Sequence, residues 1–254
     1  MKFRLKAFGL HLAGSACVLS LVLGALYLGW YQWPGWYLAD VLAVSTLLAG
    51  VDLALGPLLT LVIANPAKPR RELTRDIAII AAAQLLALAY GSATLWSGRP
   101  LYYTFSLDRL EVVRAFEIDA REAEFAAASN PAFAPHWYSR PRWVWAPYPA
   151  DPKLAQAIYA AAAQGAPDVV DMPRYFRPWR EGLPELRRQL RTADRLTNLS
   201  GRQLEYIKAH MAELGYQADA PVTMIMTGRG NPLVAVFDPS TARMQALLQV
   251  PTLR

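Results

Sequence analysis

The sequence predicts a membrane protein with an N-terminal three-helix transmembrane bundle and a C-terminal α+β extracytoplasmic domain built on an antiparallel sheet. Three observations predict it. The first hundred residues hold three apolar runs, each long enough to cross a bilayer. Lys and Arg gather at one end of those runs and aromatic rings at the other. The rest of the chain alternates short helical and β-rich stretches with turn residues between them, as a water-facing domain does. The boundaries that follow are 1–97 for the membrane part, with spans at about 8–30, 41–64 and 77–96, and 98–254 for the outer domain.

The first span, Phe8 to Trp30, contains no Asp, Glu, Lys or Arg over 23 residues. At about 1.5 Å of rise per residue it crosses a hydrocarbon core roughly 30 Å thick with some tilt. Val41 to Ala64 is broken only by Asp52 and Pro57, and Ile77 to Trp96 carries no charge. In lipid only a helix satisfies every backbone amide within one segment, so all three are helices. No small-x-small cleavage site precedes Trp30 and Tyr31, so the first run is expected to stay as an anchor. Lys2, Arg4 and Lys6 precede it, and Lys68, Arg70, Arg71 and Arg75 lie between the second and third spans. The segment Tyr31 to Asp40 has neither Lys nor Arg. The positive-inside rule therefore places the N-terminus in the cytoplasm and the C-terminal domain on the far side. Trp30, Tyr31, Trp33, Trp36, Tyr37, Trp96, Tyr102 and Tyr103 are expected to form an aromatic belt at the outer surface.

Within the spans, polar residues are costly and so informative. An ionised Asp52 near mid-span costs several kcal/mol unless it is paired, hydrated or protonated. Rise arithmetic puts Gln84 at a similar depth and His11 roughly a dozen ångströms nearer the cytoplasm. Asp52 is expected to face the bundle interior and to bond Gln84 or the backbone freed by Pro57, which lacks an N–H. A clasp that fixes helix packing is the commoner use of such a residue; contact with a partner helix and a proton-linked switch are the others. Gly50 with Ala54, and Ala83 with Ala87 and Gly91, repeat small residues at four-residue spacing. Such stripes let helices approach closely, either among the three spans or with an outside helix.

In the outer domain, Leu101 to Ile118 reads as strand, turn at Asp108-Arg109, strand, and Asp119 to Ser129 as a short helix. Asn130 to Pro152 mixes prolines with Trp137, Tyr138, Trp143, Trp145 and Tyr148 and reads as neither helix nor regular strand. It is either an extended partner-binding segment, with Trp143 and Trp145 as candidate contacts, or a loop that packs its rings onto its own domain. Asp151-Pro152 opens a helix running to about Ala163, with Gly165 as its stop. Leu183 to Leu199 reads as a second helix, and Ser200 with Gln203 as the capping box of a third that Gly215 ends. Val222–Thr227, Leu233–Phe237 and Met244–Val250 read as an antiparallel meander joined by Gly228-Arg-Gly-Asn231 and Asp238-Pro-Ser-Thr241.

Catalytic chemistry is not legible. His11, His136 and His210 have no metal-ligand spacing, so no metal and no cofactor are expected. There is no Gly-x-Ser-x-Gly and no phosphate loop, and the lone Cys17 lies inside the first span, so no catalytic residue is assigned. The Gly228-Arg-Gly turn is weak evidence for anion binding and fits a plain hairpin better. Net charge is +6, but Lys and Arg exceed Asp and Glu only nineteen to sixteen from Gly98 onward. Arg187, Arg188, Arg191 and Arg195 read as a solvated helix face, so nucleic acid is not expected as a partner.

Three segments carry a resemblance. Arg4-Leu-Lys-Ala-Phe-Gly-Leu-His11, Gly50-Val-Asp-Leu-Ala-Leu-Gly-Pro-Leu-Leu-Thr60, and Arg75-Asp-Ile followed by Gln84 and Tyr90-Gly91 resemble the TfpX/TfpZ type IV pilin accessory proteins over roughly residues 1–115. The resemblance implies a bacterial inner-membrane protein with its C-terminal domain, 98–254, in the periplasm. It also implies a non-enzymatic role aiding pilus assembly or dynamics, with a type IV major pilin as partner beside the lipid bilayer, and His11, Asp52, Pro57 and Gln84 as motif residues. The alternatives are a membrane-tethered envelope enzyme, or a sensor whose cytoplasmic segments of about seven and twelve residues leave little room for an output domain.

Overall fold

A computed structural model describes residues 1–39, 41–196, 199–226, 233–238 and 240–251. The chain divides into two compact units, Met1–Arg99 and Pro100–Arg254.

Among the described residues, three helices of the first unit are long and apolar enough to cross a bilayer: Lys2–Tyr31, Val41–Ile63 and Arg70–Ser97. The first is α1 (Lys2–Leu26) continued by a π-helical turn, Tyr27–Tyr31, and a short helix α2 (Gly35–Leu38) follows it. The second is α3 (Val41–Ala49), a π-helical turn Gly50–Leu55, then α4 (Gly56–Ile63). The third is α5 (Arg70–Ser97), which begins a full turn and more before the apolar run because Pro69 precedes a helix-forming basic segment. Leu10, Leu21, Leu47 and Leu86 point outward. Leu19, Leu48, Leu88 and Leu95 close the interior together with Tyr31, whose hydroxyl donates to the Leu95 carbonyl at 2.5 Å. Trp30 and Trp96 meet edge to face at 4.8 Å.

The second unit is α+β. Among the described residues its seven strands are β1 (Pro100–Ser106), β2 (Arg109–Arg114), β3 (Arg142–Trp145), β4 (Arg177–Pro178), β5 (Val222–Met226), β6 (Leu233–Phe237) and β7 (Met244–Gln249), in the order β4-β3-β1-β2-β5-β6-β7. The sheet is mixed rather than antiparallel. β1 pairs β3 in parallel, and β2 pairs β5 in parallel, while β5-β6-β7 form the antiparallel meander. Parallel neighbours need long crossovers, which an antiparallel reading overlooks. Here they are supplied by α6 (Ala120–Ser129) between β2 and β3, and by α7 (Pro152–Ala162), α8 (Trp179–Gln189) and α9 (Gly201–Glu213) around β4. One core gathers Tyr102, Val113, Val144, Val170 and Phe176. Another sets Ile207 and Met211 of α9 against Val222, Val234, Val236 and Leu248.

Several local expectations need correction. The proline-aromatic segment contains a regular strand, β3, because Arg142-Trp-Val-Trp145 offers β-branched and aromatic residues while Pro141 and Pro147 flank rather than interrupt it. The expected helix Leu183–Leu199 runs instead from Trp179 to Gln189. It carries Pro184 in its interior and stops where Arg191 leaves to exchange backbone bonds with Val222, at 3.0 and 2.8 Å. Tyr102 and Tyr103 are not belt residues: β1 is covered on both faces and buries both rings. The capping box of α9 and the Asp151 cap of α7 form, with Gly165 and Gly215 at positive φ behind them. Thr227, the Gly228–Asn231 turn and Pro239 of the following turn lie outside the described residues.

Candidate functional site

The π-helical turn Gly50–Leu55 is a mid-span departure from regular geometry, and it follows from sequence. The Gly56 N–H donates to the Val51 carbonyl, five residues back. In the same pattern the donor for the Asp52 carbonyl would be Pro57, which has no N–H. That carbonyl is therefore left open, and Gln84 of α5 fills the vacancy: its Nε2 donates to Asp52 O at 3.2 Å and lies 3.4 Å from both the Asp52 Oδ1 and the Ser15 Oγ. With its nitrogen committed to a carbonyl, the Gln84 amide presents Oε1 on the other side, and His11 Nε2 meets it at 2.7 Å. A carbonyl oxygen only accepts, so Nε2 carries a proton, and Nδ1 lies 2.5 Å from the Thr60 hydroxyl. Asp52 is 4% exposed, and Thr60 and Gln84 are also buried.

The structure thus brings His11, Asp52, Pro57 and Gln84 into one polar knot linking all three spans. Rise arithmetic separated His11 from this group because it fixes only the depth of each Cα. Imidazole and carboxamide reach several ångströms beyond theirs, and Gln84 bridges the remaining gap. Ser15, Gly56 and Thr60 join the knot: Gly56 and Thr60 fall within the Gly50–Thr60 segment without standing out as site residues, and Ser15 carries no sequence signal. A Cβ on Gly56 would lie 2.2 Å from the Gln84 carboxamide, so the glycine makes the room in which the amide sits. The Gly56-Pro57 pair was the available clue. Beside the knot, a cavity of about 420 Å³ opens between α1 and α5, walled by Leu10, Gly14, Val18, Ala81 and Leu85 and reaching His11, Asp52 and Gln84.

The small-residue stripes separate. Gly91 is buried, and a Cβ there would lie 2.4 Å from Leu48, so it serves packing inside the bundle. Ala87 is half-buried beside it and Ala83 is exposed. Gly50 and Ala54 face outward, with open space where a Gly50 Cβ would be. In the outer domain, Trp143 stacks obliquely on Tyr103 at 4.8 Å and on Trp179 at 5.1 Å, and Trp145 packs so closely on α8 that a Cβ at Gly182 would lie 2.5 Å from its ring. Both rings therefore pack on their own domain.

The outer domain also gathers an acidic cluster that sequence did not flag, because its members come from separate elements. Arg109 of β2 bridges Glu111 and Asp168, the latter at 2.6 Å, and the Tyr148 hydroxyl donates to Asp168 at 2.6 Å. Burial and the nearby Glu111 charge push the Asp171 carboxyl up to about 7. Burial likewise raises Glu111 despite Arg109, and raises the Tyr148 phenol, whose bond to Asp168 adds to the effect. His136 stacks on Tyr138, and His210 contacts Glu213 at 2.9 Å on the surface of α9. Among the described residues, no group of three or more His, Cys, Asp or Glu side chains is placed to hold a metal ion.

Over 116 residues, 46% of its length, the chain is 31% identical to the fimbrial assembly protein, serogroups C1 and C2, of Dichelobacter nodosus, and the match covers 88% of that protein. It is 33% identical to the serogroup I and 30% identical to the serogroup E1 fimbrial assembly proteins of the same organism, again over 116 residues. In those two the match covers 45% of the relative, so the chain spans about half their length. No family model matches the chain. No solved structure matches it.

Proposed function

The chain belongs to the fimbrial assembly protein family, and from that premise we propose that it is a non-enzymatic accessory of type IV pilus assembly, of the TfpX/TfpZ kind. It sits in the bacterial inner membrane with residues 98–254 in the periplasm and binds the major pilin. The observation that carries the reading is the coincidence of a fimbrial-assembly match with three helices long and apolar enough to span a bilayer. A pilin subunit awaiting assembly keeps an apolar helix in lipid and a head outside. A bundle plus an outer domain can hold both parts, and engagement of one raises the effective concentration at the other.

The bundle geometry supports separate tasks for the two stripes. Gly91 is spent on Leu48, and the knot locks the spans together, so the pilin helix docks on the outward Gly50–Ala54 face of the second span. The test is co-purification of the intact protein with the pilin from detergent-solubilised membranes. Pilin is retained by the natural protein and reduced roughly tenfold by Gly50→Leu, at a position where an added Cβ meets nothing within 4 Å in the bundle. Retention of no pilin by the natural protein, after cross-linking in the membrane, contradicts the assignment.

A further inference from the structure

The outer domain exposes aromatic rings at one end of its sheet. Trp137 is 72% exposed, Tyr138 59% and Phe116 54%. The topology puts them together. β1 begins at Pro100, and its first residue pairs with Arg114, the last of β2; Phe116 follows two residues later. β3 runs parallel to β1 with Arg142 beside Tyr102, so the segment Pro135–Pro141, which holds Trp137, Tyr138 and exposed Arg140, also opens at the end where β1 starts. Tyr138 stacks on His136 at 5.2 Å and takes the edge of Trp137 at 5.5 Å, so the tip is a built cluster of rings.

Two features identify what this end faces. Only Gly98 and Arg99 separate the last residue of the third span, Ser97, from Pro100. A chain that short reaches about 10 Å at most. The stretch Asn130–Ala150 contains no Asp or Glu across 21 residues but holds His136, Arg140 and Arg142. The acid next to Phe116 in sequence, Glu117, is tied to the Arg114 backbone N–H at 2.7 Å. Trp and Tyr favour the boundary between headgroups and acyl chains, where an apolar ring body and a polar edge are both satisfied, and Arg favours anionic headgroups.

We infer that Phe116, Trp137, Tyr138 and Arg140 form an interfacial foot that seats the outer domain on an anionic phospholipid surface. The inference rests on the membrane reading above, and the test separates the two.

The full chain, with Cys17→Ser as background, is reconstituted in nanodiscs of phosphatidylethanolamine and phosphatidylglycerol. A bimane label is placed at Trp137→Cys, at Asp108→Cys in the turn at the far end of β1 and β2, or at Leu21→Cys on the outward face of α1. Lipid carrying a nitroxide near the headgroup quenches the label at 137 at least about twofold, and leaves it at 108 unchanged, while aqueous iodide quenches 108. The label at Tyr138→Cys repeats the result for 137. The inference is overturned if 137 and 138 are quenched by iodide like 108 while 21 stays in lipid. It is equally overturned if both are shielded from iodide and lipid alike, which marks a protein-covered surface. A label at 21 that reports water overturns the membrane reading and the foot with it.

Discussion

The two units solve opposite packing problems with the same chain chemistry. In the bundle, large apolar side chains such as Leu10 and Leu86 lie outside, and the buried set includes Asp52, Thr60 and Gln84. In the outer domain the pattern reverses: Phe105, Phe176, Leu186, Ile207 and Val236 are wholly inside. Water gives apolar residues a reason to cluster, whereas lipid gives none, so a bundle gains its specificity from close approach and interhelical hydrogen bonds. Gly91 against Leu48 is the first device, and the His11–Gln84–Asp52 knot is the second.

That contrast predicts a ranking of mutational costs. Leu186→Ala empties a fully buried site of the second unit and should cost about 2–5 kcal/mol, read as a fall in the urea midpoint of that unit's unfolding in the intact, detergent-solubilised protein. The next effect depends on pH. The Asp171 carboxyl, raised from its ordinary 3.8 to about 7, is protonated in the folded domain where the unfolded chain has already ionised it. Its penalty is absent below about pH 4 and accrues as pH rises to about 7. Asp171→Asn should therefore stabilise the domain by about 1–4 kcal/mol above pH 7 and by nothing at pH 3.5. A stability difference independent of pH would detach Asp171 from that account.

Gln84→Leu removes the centre of the knot, yet interhelical hydrogen bonds in membranes average about 0.6 kcal/mol and reach about 1.7. The expected loss is accordingly smaller than that of Leu186→Ala, read as detergent-induced unfolding of the bundle. A larger loss would show that the knot, and not apolar packing, dominates this unit. Smallest is Asp52→Asn, which keeps the carbonyl that Gln84 binds and should change bundle stability by less than about 0.6 kcal/mol. Loss of the protein from the membrane on this substitution would show that the carboxylate itself is required.

How far sequence carried differs between the units for a physical reason. Spans are set by one long-range rule, the absence of water, so three long apolar runs, charged only at Asp52, sufficed to locate three helices. Side-chain reach and the π-helical turn were not legible, since neither changes the composition; His11 on Gln84, and Gly56 beneath it, depend on how side chains meet across helices. In the outer domain, caps and turns at Asp151, Ser200 and Gly215 were legible because they act within a few residues. Sheet order was not, because the parallel partners of β1 and β2 arrive after 35 residues or more of intervening chain. β3 was hidden by its flanking prolines, and the early end of α8 by a bridge to Val222.

The claim beneath this contrast is that lipid surrounds the first unit while the second stands in water beyond the cytoplasm. Paired reporters fused after Arg254 test it directly. A phosphatase that folds only outside the cytoplasm should be active there, and a fluorescent protein that matures only inside should stay dark. An inactive phosphatase with a bright fluorescent partner would contradict the topology and the pilus role built on it.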